Sequence, residues 1–234
     1  PFAAAMVYAF ARFQTGGRFG RFLVLSLQML PPVALVLPAF AILREQFRGQ
    51  EKKLRDTPEL VVLMRHGHKA PGGANYNLSP QGFERAIALA SLLPRCFGRP
   101  SQIRSFYLDP ISSKNARSYQ TAVPLAVATG VDITIDLSSR EASLRSGRQI
   151  LADPSVAGGR VVLFWEHRRL PQLAAGLGWP AMAPIADDDF DQLVVLRYRP
   201  PLQQPEVRTY SQVQLLDGRQ RCETLPERPR QPRS

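Results

Sequence analysis

Five short apolar runs alternate along the middle of the chain with longer segments whose apolar residues recur every three or four positions. Residues 60 to 64, LVVLM, form a continuous apolar run without polar alternation, as expected of a strand covered on both faces. In NLSPQGFERAIALASLLP, Ser79 stands as an N-cap and Pro80 at the first helical position. Phe83, Ala86, Ile87, Ala90 and Leu93 follow at helical spacing, and Pro94 is expected to stop the helix. The alternation continues with strands over 104–108, 131–135, 160–165 and 192–198 and helices over 114–128, 143–152 and 170–177.

Strands alternating with helices predict an α/β fold with an open, largely parallel sheet and helices on both faces. Such a sheet gathers the residues that follow its strands at one edge, where a pocket forms. Those residues are polar here: Arg65, His66, His68 and Lys69 after the first strand, Arg117 early in the helix after the second, and Glu166 and His167 at the end of the fourth. Histidines and cations from distant parts of the chain therefore meet at one place, suited to a multiply charged anion.

Composition is globular, 44% hydrophobic and 21% charged. The net charge of +11 raises the question of nucleic acid. Its distribution argues against it: residues 1–53 carry +5, residues 218–234 carry +3, and the 54–217 stretch between carries only +3. No basic stripe is interleaved with aromatics, so no nucleic-acid partner is expected. Cys96 and Cys222 lack the spacing of a metal site or a redox motif.

The ends have a different character. Between Arg21 and Arg44 lie 22 uncharged residues, preceded only by positive charge and ending in Ala39-Phe40-Ala41, a small-x-small pattern. This predicts an export signal, with an uncleaved membrane anchor or a buried N-terminal helix as the other readings. Pro31, Pro32 and Pro38 disfavour a continuous helix there. The expected organisation is a signal or anchor with linker over 1–46, an α/β domain over 47–216 that holds the polar edge, and a basic, proline-containing disordered tail over 217–234. An exported location follows, periplasmic or extracellular, or membrane association through residues 22–43; a misassigned N-terminus would leave the protein cytoplasmic.

The polar edge resembles the histidine phosphatase superfamily, the group of cofactor-dependent phosphoglycerate mutases, acid phosphatases and phytases. Arg65-His66-Gly67 matches its R-H-G at the end of the first strand. The stretch from Asn77 to Gly82 with Ala86 is similar to its L-T/S-x-x-G-x-x-x-A helix start, and Ser113 to Ala122 follows S-x-x-x-R-x-x-x-T-A. Val161 to His167 resembles the apolar strand ending in the family's second histidine. The resemblance covers roughly residues 58–200 and implies a phosphoglycerate mutase-like three-layer αβα sandwich. Lys69 stands where the phytase branch has a second arginine, and Arg168 follows His167 where that branch has an acid.

The resemblance implies a phosphomonoester hydrolase without metal or other cofactor, acting on a small phosphorylated substrate or a phosphoprotein. His66 would attack phosphorus, Arg65 and Arg117 would fork onto phosphoryl oxygens, and His167 would add a contact. Gly67 would let the backbone turn beneath the ligand, and Lys69 is a further phosphate contact or a surface charge. The general acid is open between Glu141, after the third strand, Glu166 and a residue outside these motifs; strand alternation points Glu166 away from His167 and favours Glu141. His68 belongs to the rim, and Asp187, Asp188, Asp189 and Asp191 read as a solvated loop without a role. Three other functions fit parts of the pattern: a phosphomutase, a three-histidine zinc hydrolase using His66, His68 and His167, and a non-catalytic phosphate-binding module.

Overall fold

The computed structural model describes residues 57–70, 72, 75–199 and 204–222, together with 44, 45 and 49. The apolar run 22–43 and the small-x-small pattern lie outside these residues. Among the described residues no helix is long and apolar enough to cross a membrane. The chain divides after Gln50, and every element named below belongs to the unit that follows.

That unit is an α/β sandwich around a six-stranded sheet. In chain order its elements are β1 (Leu60–Arg65), α1 (Pro80–Phe97), β2 (Gln102–Ser105), α2 (Ala116–Thr129), β3 (Ile133–Ile135), α3 (Ser143–Ala152), β4 (Arg160–Trp165), α4 (Leu170–Gly176), β5 (Gln192–Arg197), β6 (Glu206–Ser211) and α5 (Gln212–Leu216). The sheet order is β3-β2-β4-β1-β5-β6. β3, β2, β4 and β1 run parallel, with Arg65 in register with Trp165. β5 pairs antiparallel to β1, and β6 antiparallel to β5.

Side-chain alternation along β1 divides the core in two. Leu60, Val62 and Met64 pack with Leu89 and Leu93 of α1, Leu125 of α2 and Leu215 of α5. Val61 and Leu63 pack on the other face with Trp165, Ile150 of α3 and Leu170 and Leu173 of α4. Two buried faces explain why β1 is apolar at every position but its last, and why all six of its residues are buried.

The mostly parallel sheet agrees with the pattern; several details differ. Ser79 caps α1 through its side chain, which accepts from the Gly82 amide at 3.1 Å, but Pro94 does not end the helix. Pro94 forfeits its own amide bond and crowds the preceding turn, but the buried Leu93, Cys96 and Phe97 hold the last turn against the core until Gly98 closes it. β2 begins at Gln102 and ends at Ser105, short of the predicted 104–108. β6 and α5 are elements that the apolar pattern did not reveal. β6 is an edge strand with Tyr210 its one buried residue, so it carries no apolar signature.

The C-terminal boundary also moves. Cys222 is disulfide-bonded to Cys96 in α1, so residues 217–222 belong to the domain and not to a disordered tail. Their backbone is tied by Gln220, whose amide donates to Gln214 and whose side chain accepts from the Ser211 amide, each at 2.9 Å. The bond closes a sequence separation of 126 residues. A loop that long makes the cross-link a strong constraint on the unfolded chain, so Cys222→Ser is expected to lower unfolding stability by about 2–5 kcal/mol. Chemical denaturation in the presence and absence of reductant checks this: reductant should destabilise the parent protein to a similar degree and leave the variant unchanged.

Candidate functional site

Parallel strands β1 and β4 end side by side, and the chain turns out of both into the same space. The His66 amide donates to the Trp165 carbonyl at 3.1 Å, which sets the segment after β1 against the segment after β4. His66 and His167 are both buried, with ring centroids 6.4 Å apart and nearly perpendicular planes. Distant parts of the chain therefore meet at one edge as the alternating pattern predicted.

His66 is held in one tautomer. Its Nδ1 lies 2.8 Å from the carbonyl oxygen of Gly67, which can only accept, so Nδ1 carries the proton and Nε2 keeps its lone pair. Burial pushes the ring's pKa down to about 4, and the charges of Arg65, Arg117 and His167 push the same way against that hydrogen bond. A neutral imidazole with a free Nε2 is the form required of a nitrogen nucleophile.

Gly67 serves this arrangement by close approach and not by a left-handed turn, since its φ is not positive. A Cβ on Gly67 would lie 2.9 Å from the Gly82 carbonyl oxygen, and one on Gly82 would lie 2.5 Å from the His68 carbonyl oxygen. The start of α1 thus packs backbone to backbone on the histidine loop. Thr121 of α2 completes the seat: its hydroxyl accepts from the Gly67 amide at 2.9 Å and donates to the Arg117 carbonyl at 2.7 Å. Thr121 lay within a quoted motif without an assigned role, as did Gln120, whose side chain bonds the Leu78 amide and Asn77.

Arg65 is 2% exposed, and burial lowers its pKa to about 10, opposed by Asp189, Glu166, Asp187 and Asp188. Its Nη1 donates to the carbonyls of Ala186, Asp187 and Asp189 at 2.9, 3.2 and 2.6 Å, and its Nη2 lies 3.3 Å from His167 Nδ1. The Phe190 ring covers its guanidinium at 3.8 Å. Arg117 comes from the first turns of α2 and donates to the carbonyls of Asn75 and Asn77. Its charge reaches the His66 ring, while partial burial lowers its own pKa.

The two acid candidates separate. Glu166 lies beyond the last residue of β4, where strand alternation no longer applies, and its Oε1 sits 2.9 Å from His167 Nδ1. Glu141 caps the short helical turn Leu137–Arg140, is exposed, and has no side-chain contact with either histidine or either arginine. Glu166 thus meets His167, against the expectation that strand alternation turns it away, and Glu141 does not. Lys69 is exposed and pairs through its backbone with Leu78. His68 stacks on Phe190 with centroids 4.4 Å apart, and no group of three metal-ligating side chains occurs among the described residues.

The acidic loop is the main correction. Asp187 Oδ1 lies 2.6 Å from His167 Nε2, and its Oδ2 accepts from Arg168 at 2.9 Å. These contacts hold its pKa down to about 2, with the Arg168 bond the largest cause. Asp189 accepts from the Asp191 amide, and Asp191 in turn accepts from the Val213 amide at the start of α5. This loop reaches the site because β5 is antiparallel: Leu193, near its start, pairs with Met64, near the end of β1. Had β5 continued the parallel pattern, the loop before it would lie at the opposite edge. The available signal was α4, whose seven residues rise about 10 Å, half of what a six-residue strand spans.

No family model matches the chain, and no curated protein matches it. Among solved structures it is similar to the protein histidine phosphatase SixA, at 13% identity and a TM-score of 0.46 over 67% of this chain and 99% of that one. A mycobacterial glucosyl-3-phosphoglycerate phosphatase is similar at 17% identity and a TM-score of 0.44, over 65% of this chain and 97% of that one. Phosphoglycerate mutase from Bacillus anthracis is similar at 13% identity and a TM-score of 0.43, over 71% of this chain and 99% of that one. These are likenesses of fold.

The backbone contact beneath His66 leaves no space for a methyl group. Gly82→Ala, whose added carbon meets the His68 carbonyl oxygen at 2.5 Å, is expected to cost about 1–3 kcal/mol and to displace the histidine loop. Thermal denaturation reads the first effect, and the His66 ring resonances in an NMR spectrum read the second.

Proposed function

We propose that the chain is a metal-independent phosphomonoester hydrolase of the histidine phosphatase type, acting through a phosphohistidine on His66. The observation that carries it is the state of that ring: buried, neutral, its Nδ1 proton fixed on Gly67 and its Nε2 unprotonated. Nε2 attacks phosphorus, a P–N bond forms, and the P–O bond to the leaving group breaks. Charge on the phosphoryl oxygens is met by the Nη2 of Arg65, by Arg117 and by His167. Glu166, in contact with the His167 ring, takes the role of passing a proton to the leaving alkoxide and recovering it from the attacking water, because Glu141 makes no contact with the site. Water then attacks the phosphohistidine, releasing inorganic phosphate and restoring the neutral ring.

The substrate class is a small phosphoester or a phosphorylated protein. The Cys96–Cys222 bond supports an exported location, since disulfides form and persist in oxidising compartments.

Incubation with p-nitrophenyl phosphate followed by rapid denaturation tests the proposal. Acid-labile phosphate should appear on the parent protein and be absent from His66→Ala, with turnover reduced by several orders of magnitude and EDTA without effect. Turnover that His66→Ala retains, or that EDTA abolishes and zinc restores, would sink it. The depressed pKa sets a second expectation. The folded ring binds its proton only near pH 4, while the unfolded histidine does so near 6.5, so the nucleophile stays neutral throughout that interval. The acid limb of kcat/KM due to His66 should lie near pH 4, and the ring's burial should cost stability as the pH falls from about 6.5 to about 4.

A further inference from the structure

The groups that would grip a phosphoryl dianion are already engaged by one loop of the protein itself. His167 Nε2 faces Asp187 Oδ1 at 2.6 Å, the spacing of a strong charge-assisted bond. Arg65 spends Nη1 on three carbonyls of the same loop, and Phe190 lies over its guanidinium and 5.9 Å from the His66 ring. We infer that Asp187 is a built-in competitor of the substrate: its carboxylate takes the place of a phosphoryl oxygen on His167 and must leave before the anion binds. The inference rests on the reading of this edge as a phosphoryl site, and it assigns Asp187 to gating that site and not to the chemistry.

The loop is built in two parts, which suits this role. Its base is fixed: the Asp189 carbonyl on Arg65, the Phe190 carbonyl on Arg85 at 3.3 Å, and the Asp191 carboxylate on the Val213 amide at 2.7 Å. The backbone of its tip is held as well, by Arg65 on the Ala186 and Asp187 carbonyls, but the carboxylate at the tip is not buried. The Asp187 side chain is 63% exposed, and the second group that holds it, Arg168, is 71% exposed. Rotation of one surface side chain therefore frees His167 Nε2 without disturbing Arg65, Phe190 or the sheet. Asp187 can keep Arg168 as its partner outside the pocket.

Two anions cannot share one imidazole nitrogen, and at contact distance they repel. The apparent affinity for phosphate is thus the intrinsic affinity reduced by the fraction of molecules with Asp187 withdrawn. Removing the carboxylate should remove that reduction. A residue serving as general acid or base would behave oppositely, since its loss would lower kcat.

The test is calorimetric titration of the parent protein, Asp187→Ala and Asp187→Asn with inorganic phosphate, alongside KM and kcat for p-nitrophenyl phosphate. Asp187→Ala should bind phosphate roughly tenfold more tightly, the equivalent of about 1.4 kcal/mol, with a lower KM and no fall in kcat. Asp187→Asn should also bind more tightly, by less, because its amide still fills the space without the charge. Unchanged or weaker phosphate binding in Asp187→Ala overturns the inference, as does a fall in its kcat. Circular dichroism melts confirm that the surface substitutions fold. Adding His66→Ala to Asp187→Ala separates this inference from the catalytic proposal. If the gain in phosphate affinity persists while no phosphohistidine is ever trapped on His66 of the parent protein, the competitor stands and the hydrolase reading falls.

Discussion

Everything at the polar edge depends on holding one uncharged imidazole in the field of two guanidinium groups and beside a second imidazole. A histidine at the end of a buried strand loses solvation if protonated, and Arg65, Arg117 and His167 add repulsion to that loss. The single bond from Nδ1 to the Gly67 carbonyl then decides which nitrogen is left bare. That bond has a fixed geometry only because the Gly67 backbone is pressed against the first turn of α1 and hung from Thr121. The tautomer of His66 is thus determined by the packing of α1 and α2 against the loop after β1, a tertiary contact among backbone atoms.

Much of this could be read from residues alone. Continuous apolar runs at 60–64 and 160–165 become the central parallel strands, and the cations and histidines behind them meet because parallel strands end at the same edge. Ser79 caps its helix as its type and the following proline suggest. The differences lie where elements stop. Pro94 does not end α1, because the buried Leu93, Cys96 and Phe97 hold the turn around it in the core. Glu166 escapes strand alternation because β4 ends at Trp165.

The acidic loop shows a different limit. Asp187, Asp188 and Asp189 carry no local signal that separates a solvated turn from a structural one. Their meaning is set by the direction of the next strand. Periodicity reports that 192–198 is a strand but not whether it runs with or against β1, and that orientation decides which edge of the sheet receives the loop. Once β5 turns back, Asp189 and Phe190 become part of the seat of Arg65, and Asp191 fastens the loop to α5.

Charge balance ties these observations together. Buried guanidinium and imidazole groups lacking counter-dipoles would oppose folding. Two loops supply those dipoles: carbonyls of residues 75 and 77 for Arg117, and carbonyls of 186, 187 and 189 for Arg65. Backbone carbonyls carry only partial charge, so they stabilise the cations without cancelling their attraction for an incoming anion. Asp187 differs in bringing a full charge, and it is also the member of the set whose side chain is mostly in solvent. The two guanidinium groups are therefore held by neutral dipoles, while the carboxylates of Glu166 and Asp187 meet His167, the second of them largely in solvent.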